Sequence, residues 1–265
     1  MTITEIRPAA STVEPEFDVI ELPELLERAA LQDRVDRKYL LPAAALDPVL
    51  IDLAAQARML QIDGRRDFGY ESVYFDTPDL ACYTLAARRR RRRFKIRTRS
   101  YLNPAPGSAA CWLEVKTRDR RGHTVKQRQP HQGSPDTLDR AGREFTDHVV
   151  VGAQLPGTWG VPLQPTLITR YRRRTLFLPA SRSRVTVDTD LRWSLPDGRE
   201  IAVPGLSIVE TKTVGPACAA DKLLWRNGSR PSLVSKYGTG LAALRPELPA
   251  HKWHRVLNRY FWSPS

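Results

Sequence analysis

Apolar and polar residues alternate singly through some stretches of this chain and recur every three to four residues through others, so strands and helices can be told apart by period. Leu25, Leu26, Ala29 and Ala30 share one side of a helix predicted over Leu22 to Leu31. RVDRKYLL then reads as a short strand, and Pro42 opens a second helix running to about Leu60, with Leu46, Val49, Leu50, Leu53 and Ala57 at helical spacing. Beyond Asp63-Gly64 the period changes to two: SVYFD at 72–76 is a strand, and Asp79 to Ala87 a short helical turn. A long strand is predicted over Arg88 to Tyr101, and the turn-rich NPAPGSAA follows it. CWLEVKTR and TVKQRQ form a hairpin about DRRG. Further on come a helix over Asp136 to Val151, a strand over Pro165 to Leu178, the strand RSRVTVDTDLRW, a turn at 196–198 and the strand LSIVETKT. Helices are expected over Ala217 to Trp225, after SKYGTG, and through the stripe Trp253, Val256, Leu257, Tyr260 and Phe261.

The polar face of these strands is charged, repeatedly. Lys95, Arg97 and Arg99 share one parity, with Phe94, Ile96 and Thr98 on the other. Glu114 and Lys116 share a face, as do Lys126 and Arg128, Glu210 and Lys212, and Arg184, Asp188 and Asp190; Arg170, Arg172 and Arg174 are read the same way. A single such strand is ordinarily a solvated basic edge, and carboxylate beside cation is also what a salt-bridged surface sheet shows. Repetition over many strands points elsewhere. Strands in hairpin order with helices between them suggest an α+β fold, an antiparallel sheet closed into a barrel with helices outside. The charged faces would then line an interior that only bound anions could make tolerable. Phosphate chains suit it, because guanidinium pairs with phosphate oxygens in a fork.

Composition agrees. The chain has 265 residues, 41% hydrophobic and 27% charged, which is enough for a core; 42 Lys and Arg against 29 Asp and Glu leave +13. That excess calls for a polyanionic partner. Residues 1–17 read as a flexible lead-in and 18–265 as one domain, with no repeat or long linker. Cys82, Cys111 and Cys218 form no C-x-x-C, and an odd count argues against a disulfide framework. No signal peptide and no run of 18 apolar residues is visible, so a cytoplasmic setting without a transmembrane segment is expected. There is no H-E-x-x-H and no G-x-x-x-x-G-K-[ST], which sets aside two familiar metal and nucleotide sites.

DRKYL at 36–40, SVYFDTPDL at 72–80, FKIRTRSY at 94–101, LEVKTR at 113–118, VKQR at 125–128, TRYRRRTLF at 169–177, VDTDL at 187–191, IVETK at 208–212 and SKYGTG at 235–240 stand in one order. In that order they resemble the VTC domain, the catalytic domain of the vacuolar transporter chaperone and a branch of the triphosphate tunnel metalloenzymes. The resemblance implies an eight-stranded antiparallel β-barrel tunnel with flanking helices and an ATP-dependent polyphosphate polymerase. It implies phosphate ligands at Lys38, Arg97, Arg99, Lys116, Lys126, Arg170, Arg184 and Lys236. Lys95, Arg93, Arg174 and Lys212 are further candidates for substrate binding. Glu210 stands as the ligand of Mn²⁺ or Mg²⁺, and Glu114 as the second candidate. The expected partners are ATP and polyphosphate or triphosphate, with no specific nucleic acid; an oligomer or a membrane-protein partner is left open.

The hydrolytic branches of that superfamily usually open with E-x-E-x-K, whereas Arg34 and Asp36 stand where the two glutamates would. Fewer carboxylates mean weaker activation of water, which favours transfer to phosphate. Two rivals stay open: a metal-dependent tripolyphosphatase or nucleoside triphosphatase in the same fold, and a non-catalytic protein that binds polyphosphate or nucleic acid by charge. Phe94 is the lone aromatic within Arg88 to Arg99, so a base-stacking platform is disfavoured there.

Overall fold

A computed structural model describes residues 15–29, 34–102, 104, 110–119, 124–155 and 160–262. In chain order the elements are β1 (Asp18–Ile20), α1 (Leu22–Arg28), β2 (Val35–Pro42), α2 (Ala43–Leu53), β3 (Arg58–Leu60), β4 (Phe68–Asp76), α3 (Ala81–Ala87) and β5 (Arg93–Leu102). Then follow β6 (Cys111–Arg118), β7 (Thr124–Pro130), α4 (Arg140–Gly152), β8 (Gln164–Leu178), β9 (Ser183–Ser194), β10 (Glu200–Ala202), β11 (Leu206–Thr213), α5 (Ala219–Arg226), α6 (Lys236–Leu244) and α7 (His254–Tyr260). Most of the lead-in, the turn of the β6–β7 hairpin and most of the NPAPGSAA loop lie outside the described residues.

The sheet is α+β in class but it is not a barrel. Its order is β2-β11-β9-β8-β4-β5-β6-β7, and β2 and β7 end the row without pairing to each other. The expectation of a closed eight-stranded barrel is therefore corrected to an open sheet. The reason is visible in β7: its positions are nearly all exposed, with polar or charged side chains on both faces. It has no apolar face to bury against a closing partner, and it reads as a charged edge strand. The main path is antiparallel, while β1 adds a parallel pairing to β3, which in turn pairs with β8.

Helices cover the apolar face. Val73, Phe75, Phe94, Ile96, Leu113 and Val115 are buried in one cluster with residues of α3, α4, α6 and α7. Tyr39, Leu41, Leu176, Leu178, Val185, Val187 and Val209 pack with α2 and α5 in a second. A smaller one joins Ile20, Leu25, Leu60 and Phe177. Two buried carboxylates pin helices to strands. Asp76 accepts the backbone N–H groups of Cys82 and Tyr83 at the start of α3 and the Tyr237 hydroxyl. Asp221 accepts from Tyr39, Thr211 and the Cys218 backbone. The tyrosines of DRKYL and SKYGTG are thus structural.

Two sequence boundaries shift furthest. The strand predicted from Arg88 begins at Arg93. Arg88 to Arg92 form an exposed turn, with Arg89 in the left-handed region at φ 54°. The helix predicted from Pro42 to Leu60 ends at Leu53, and Arg58–Leu60 becomes β3.

Candidate functional site

The charges gather on the other face of the sheet, against which the N-terminal end of α6 packs. On β5 the burial alternates, with Phe94, Ile96 and Thr98 buried and Lys95, Arg97 and Arg99 turned to the other side. Three carboxylates anchor this face, each standing directly across from a cation on a neighbouring strand. Glu210 of β11 faces Lys38 of β2; it accepts from Lys38 Nζ at 2.5 Å and from Lys212 Nζ at 2.6 Å. Glu114 of β6 faces Arg97 of β5; its Oε2 takes the guanidinium at 2.6 and 2.8 Å and its Oε1 takes Lys126 Nζ at 2.6 Å. Asp188 of β9 faces Arg173 of β8 in a fork at 2.6 and 2.9 Å, and pairs also with Lys236 of α6. Burial by itself would raise all three carboxyls, but the paired cations overcome it and hold each well below the usual carboxylate range.

Other cations on the face lack such anions. No carboxylate among the described residues forms an ion pair with Lys116 or Arg184. Burial lowers both, and neighbouring Lys38 at the first and Arg34 at the second lower them further. Lys95 donates to the Ser235 hydroxyl at 3.1 Å and lies over the Tyr74 ring, and burial followed by Lys116 and Arg97 drives it well below an ordinary lysine. Arg99 stands 3.9 Å from Glu114, with its buried Nε unbonded. Lys38 lies on β2 at one end of the strand order and Lys116 on β6, next to the other end, yet the charge of Lys38 helps lower Lys116. Aromatic rings floor the gap: Arg99 and Arg173 lie over Tyr70, and Lys236 Nζ lies 4.4 Å from the Tyr171 ring centre.

Lys236 reaches the face because α6 lies unusually close to the sheet. A Cβ on Gly240 would overlap the Trp193 ring, and one on Gly238 the Trp253 ring; Trp193 Nε1 donates to the Lys236 carbonyl at 3.0 Å. The G-T-G of SKYGTG is thus a packing device that delivers a lysine.

Of the residues predicted from sequence, Lys38, Lys95, Arg97, Arg99, Glu114, Lys116, Lys126, Arg184, Glu210, Lys212 and Lys236 come together. Arg93 stands at the end of the β5 row, bonded to the Arg90 carbonyl. Arg170 and Arg174 do not join. Arg170 pairs with Glu71 at 2.6 Å on the opposite face, half exposed, and Arg174 shares its parity with Leu176 and Leu178 under the helices. Asp190 leaves the shared face too: it is exposed at φ 51°, where the β8–β9 register slips. Arg173 occupies the place given to Arg170, Tyr171 was missed, and Asp188, read on the charged face, was given no site role. The signal was present, since Leu176 and Leu178 mark the even positions of β8 as the apolar face.

A divalent ion was also expected here. Among the described residues no three His, Cys, Asp or Glu cluster together. Mg²⁺ commonly uses one or two carboxylates and fills its remaining positions with water and substrate phosphates. Glu210, with Glu114 second, fits that kind of donor set once its lysines turn to phosphate.

The chain matches the VTC domain model over residues 33–245. No curated protein gives a significant match. Among solved structures, a candidate adenylate cyclase from Bacillus halodurans is 12% identical, with 77% of this chain and 94% of that one covered and a TM-score of 0.47. The candidate adenylyl cyclase HpAC1 from Hippeastrum, reported to have a dominant triphosphatase activity, is 16% identical over 83% of this chain and all of that one, at 0.46. A third, from Vibrio parahaemolyticus, is 11% identical over 82% and 88% of the two chains, at 0.38. None of these structural likenesses decides function.

Proposed function

This chain belongs to the VTC domain family, within the CYTH-like triphosphate-tunnel superfamily of enzymes, and on that premise we propose that it binds a triphosphate chain on its charged face and transfers the terminal phosphoryl group. The observation that carries this reading is a set of cations gathered on this face with no carboxylate among the described residues in hydrogen-bond reach: Lys95, Lys116, Arg184 and Arg99, the last 3.9 Å from Glu114. Unpaired buried charges are costly, and an anionic ligand removes that cost.

With ATP as donor, the γ-phosphorus gains a bond to an acceptor oxygen and loses its bond to the β–γ bridging oxygen, so ADP departs. If the acceptor is the terminal phosphate of a polyphosphate, the product is one phosphate longer. No side-chain nucleophile is needed. Arg97, Arg99 and Arg173 align the phosphates, and Lys38, Lys116 and Lys236 offset the charge on their oxygens. Mg²⁺ or Mn²⁺, when held by Glu210 and the phosphates, supplies further charge neutralisation.

Hydrolysis is the second reading, with water as acceptor. It is supported by Asp188, a carboxylate on the face beyond the two taken as metal candidates. One incubation with ATP and Mn²⁺, read for polymer on a gel and for free phosphate, separates them. Polymer is the outcome of the first reading. Phosphate without polymer gives the second, and neither product, with no tripolyphosphate binding, rejects both.

A further inference from the structure

We propose that the exposed arginine turn between α3 and β5 is a second polyanion-binding surface, continuous with the charged face, that holds the part of a long polyphosphate chain extending beyond the triphosphate. The inference rests on the triphosphate reading above.

The turn is not explained by the fold. Arg88 to Arg91 are exposed and Arg92 is half-buried. Backbone bonds from Arg88, Arg89 and Arg90 to α3 hold the turn in place, so the guanidinium groups are not needed to form it. The turn leads without interruption into Arg93, which has the same parity as Lys95, Arg97 and Arg99 on β5. Side chains of one parity recur about every 6.6–7 Å, so this row runs about 20 Å from Arg93 to Arg99. A triphosphate lying between Arg97, Arg99 and the Asp188 cluster is too short to reach its far end.

Lys252 joins the two parts. It donates to the Ala86 carbonyl at 2.9 Å, beside the turn. Burial, then Arg93, Arg89 and Arg118, bring its pKa down to about 8, while Lys252 in turn depresses Lys95 on the charged face. Among the described residues, the charged groups acting on Lys252 are the cations Arg93, Arg89 and Arg118, and an anion laid across the junction would relieve their repulsion. A chain of repeating phosphates is the ligand that can occupy face and turn at once.

The test uses the full chain with Arg88→Ser, Arg89→Gly, Arg90→Ser, Arg91→Ser and Arg92→Ser combined. Tripolyphosphate and long-chain polyphosphate are titrated into this variant and the unaltered protein at low salt. The variant should bind long-chain polyphosphate about tenfold or more weakly, with a shallower salt dependence. Its affinity for tripolyphosphate should stay within about twofold, which also shows that it folds. Tripolyphosphate should displace the long chain from the unaltered protein, as one continuous track requires. A variant combining Arg88→Lys, Arg90→Lys, Arg91→Lys and Arg92→Lys should retain most of the long-chain affinity. Unchanged long-chain binding in the serine variant overturns the inference, and so does a long chain that tripolyphosphate cannot displace. Single-stranded RNA of matched length bound as tightly, with the same loss in the variant, overturns it too. If the unaltered protein does not bind tripolyphosphate, the triphosphate reading itself fails, and this inference with it.

Discussion

Lys38 and Glu210, 172 positions apart in the chain, stand directly opposite each other on β2 and β11 and close an ion pair at 2.5 Å. Glu210 is also held by Lys212, so one carboxylate stands between the buried Lys212 and the half-buried Lys38. Glu210→Gln should therefore do two things. Metal-dependent phosphoryl transfer should fall by at least about a hundredfold, as for a lost metal-binding group. The two lysines, left repelling each other, should lower the melting temperature, and tripolyphosphate should recover part of the loss. Steady-state assays with Mg²⁺ and Mn²⁺ and thermal unfolding with and without tripolyphosphate check both. Normal activity would remove Glu210 from the metal role.

Asp188→Asn tests the second anchor. Asp188 is 1% exposed and bonds Arg173 and Lys236 at once. Breaking a buried pair by removing one partner typically costs about 3–5 kcal/mol. Denaturant unfolding should show a loss of that order, with the midpoint shifting back when tripolyphosphate is added.

Arg173→Ala and Arg170→Ala distinguish the two faces of β8. Arg173 faces the charged cluster, and its removal should weaken tripolyphosphate binding by roughly 1–3 kcal/mol, as for a charge-assisted bond. Arg170 is half exposed and paired with Glu71 on the other face. Its removal should change binding little and stability by about 0–1 kcal/mol. Isothermal titration of both variants decides whether the cluster is assigned to the correct parity.

A pH dependence follows from Lys212. Burial, reinforced by Arg173 and Lys38 and opposed by Glu210, brings it down to about 8 in the folded protein. An unfolded lysine keeps its proton to about 10.4. Between about pH 8 and 10.4 the unfolded chain thus binds a proton that the folded chain has released, so this group's contribution makes stability rise with pH across that window. Phosphate binding goes the other way, because deprotonation removes a cation from the face. Tripolyphosphate affinity should fall from pH 7 to pH 9, more steeply than in Lys212→Met.

Gly240→Ala should act through packing. The new methyl meets the Trp193 ring, and overpacking commonly costs about 1–3 kcal/mol. Because α6 carries Lys236, the variant should lose tripolyphosphate affinity as well as melting temperature. A drop in stability with unchanged affinity would separate the helix's position from the site.

Most strands, their alternation and the side of β5, β6, β7, β9 and β11 that carries charge were legible along the chain, because a strand's two faces are a local property of period two. The placement of Lys38, Arg97, Glu114 and Glu210 on the charged face could be read on that basis together with the family resemblance. β8 was misread because arginine stands at 170, 172, 173 and 174, on both parities, and the charges alone cannot say which side is covered. Leu176 and Leu178 decide it, by lying against α2 and α5.

By itself, then, the sequence determined the elements, the basic excess and the alternation that turns most of the charged side chains to one face. Only tertiary structure decided that β2 and β7 end an open sheet, because pairing between distant strands depends on what each edge can bury. It also decided which cations are paired with carboxylates and which are left without them. That depends on register across strands such as Arg173 opposite Asp188, and on a helix brought close by two glycines, and neither relation is encoded in the spacing of residues along one strand.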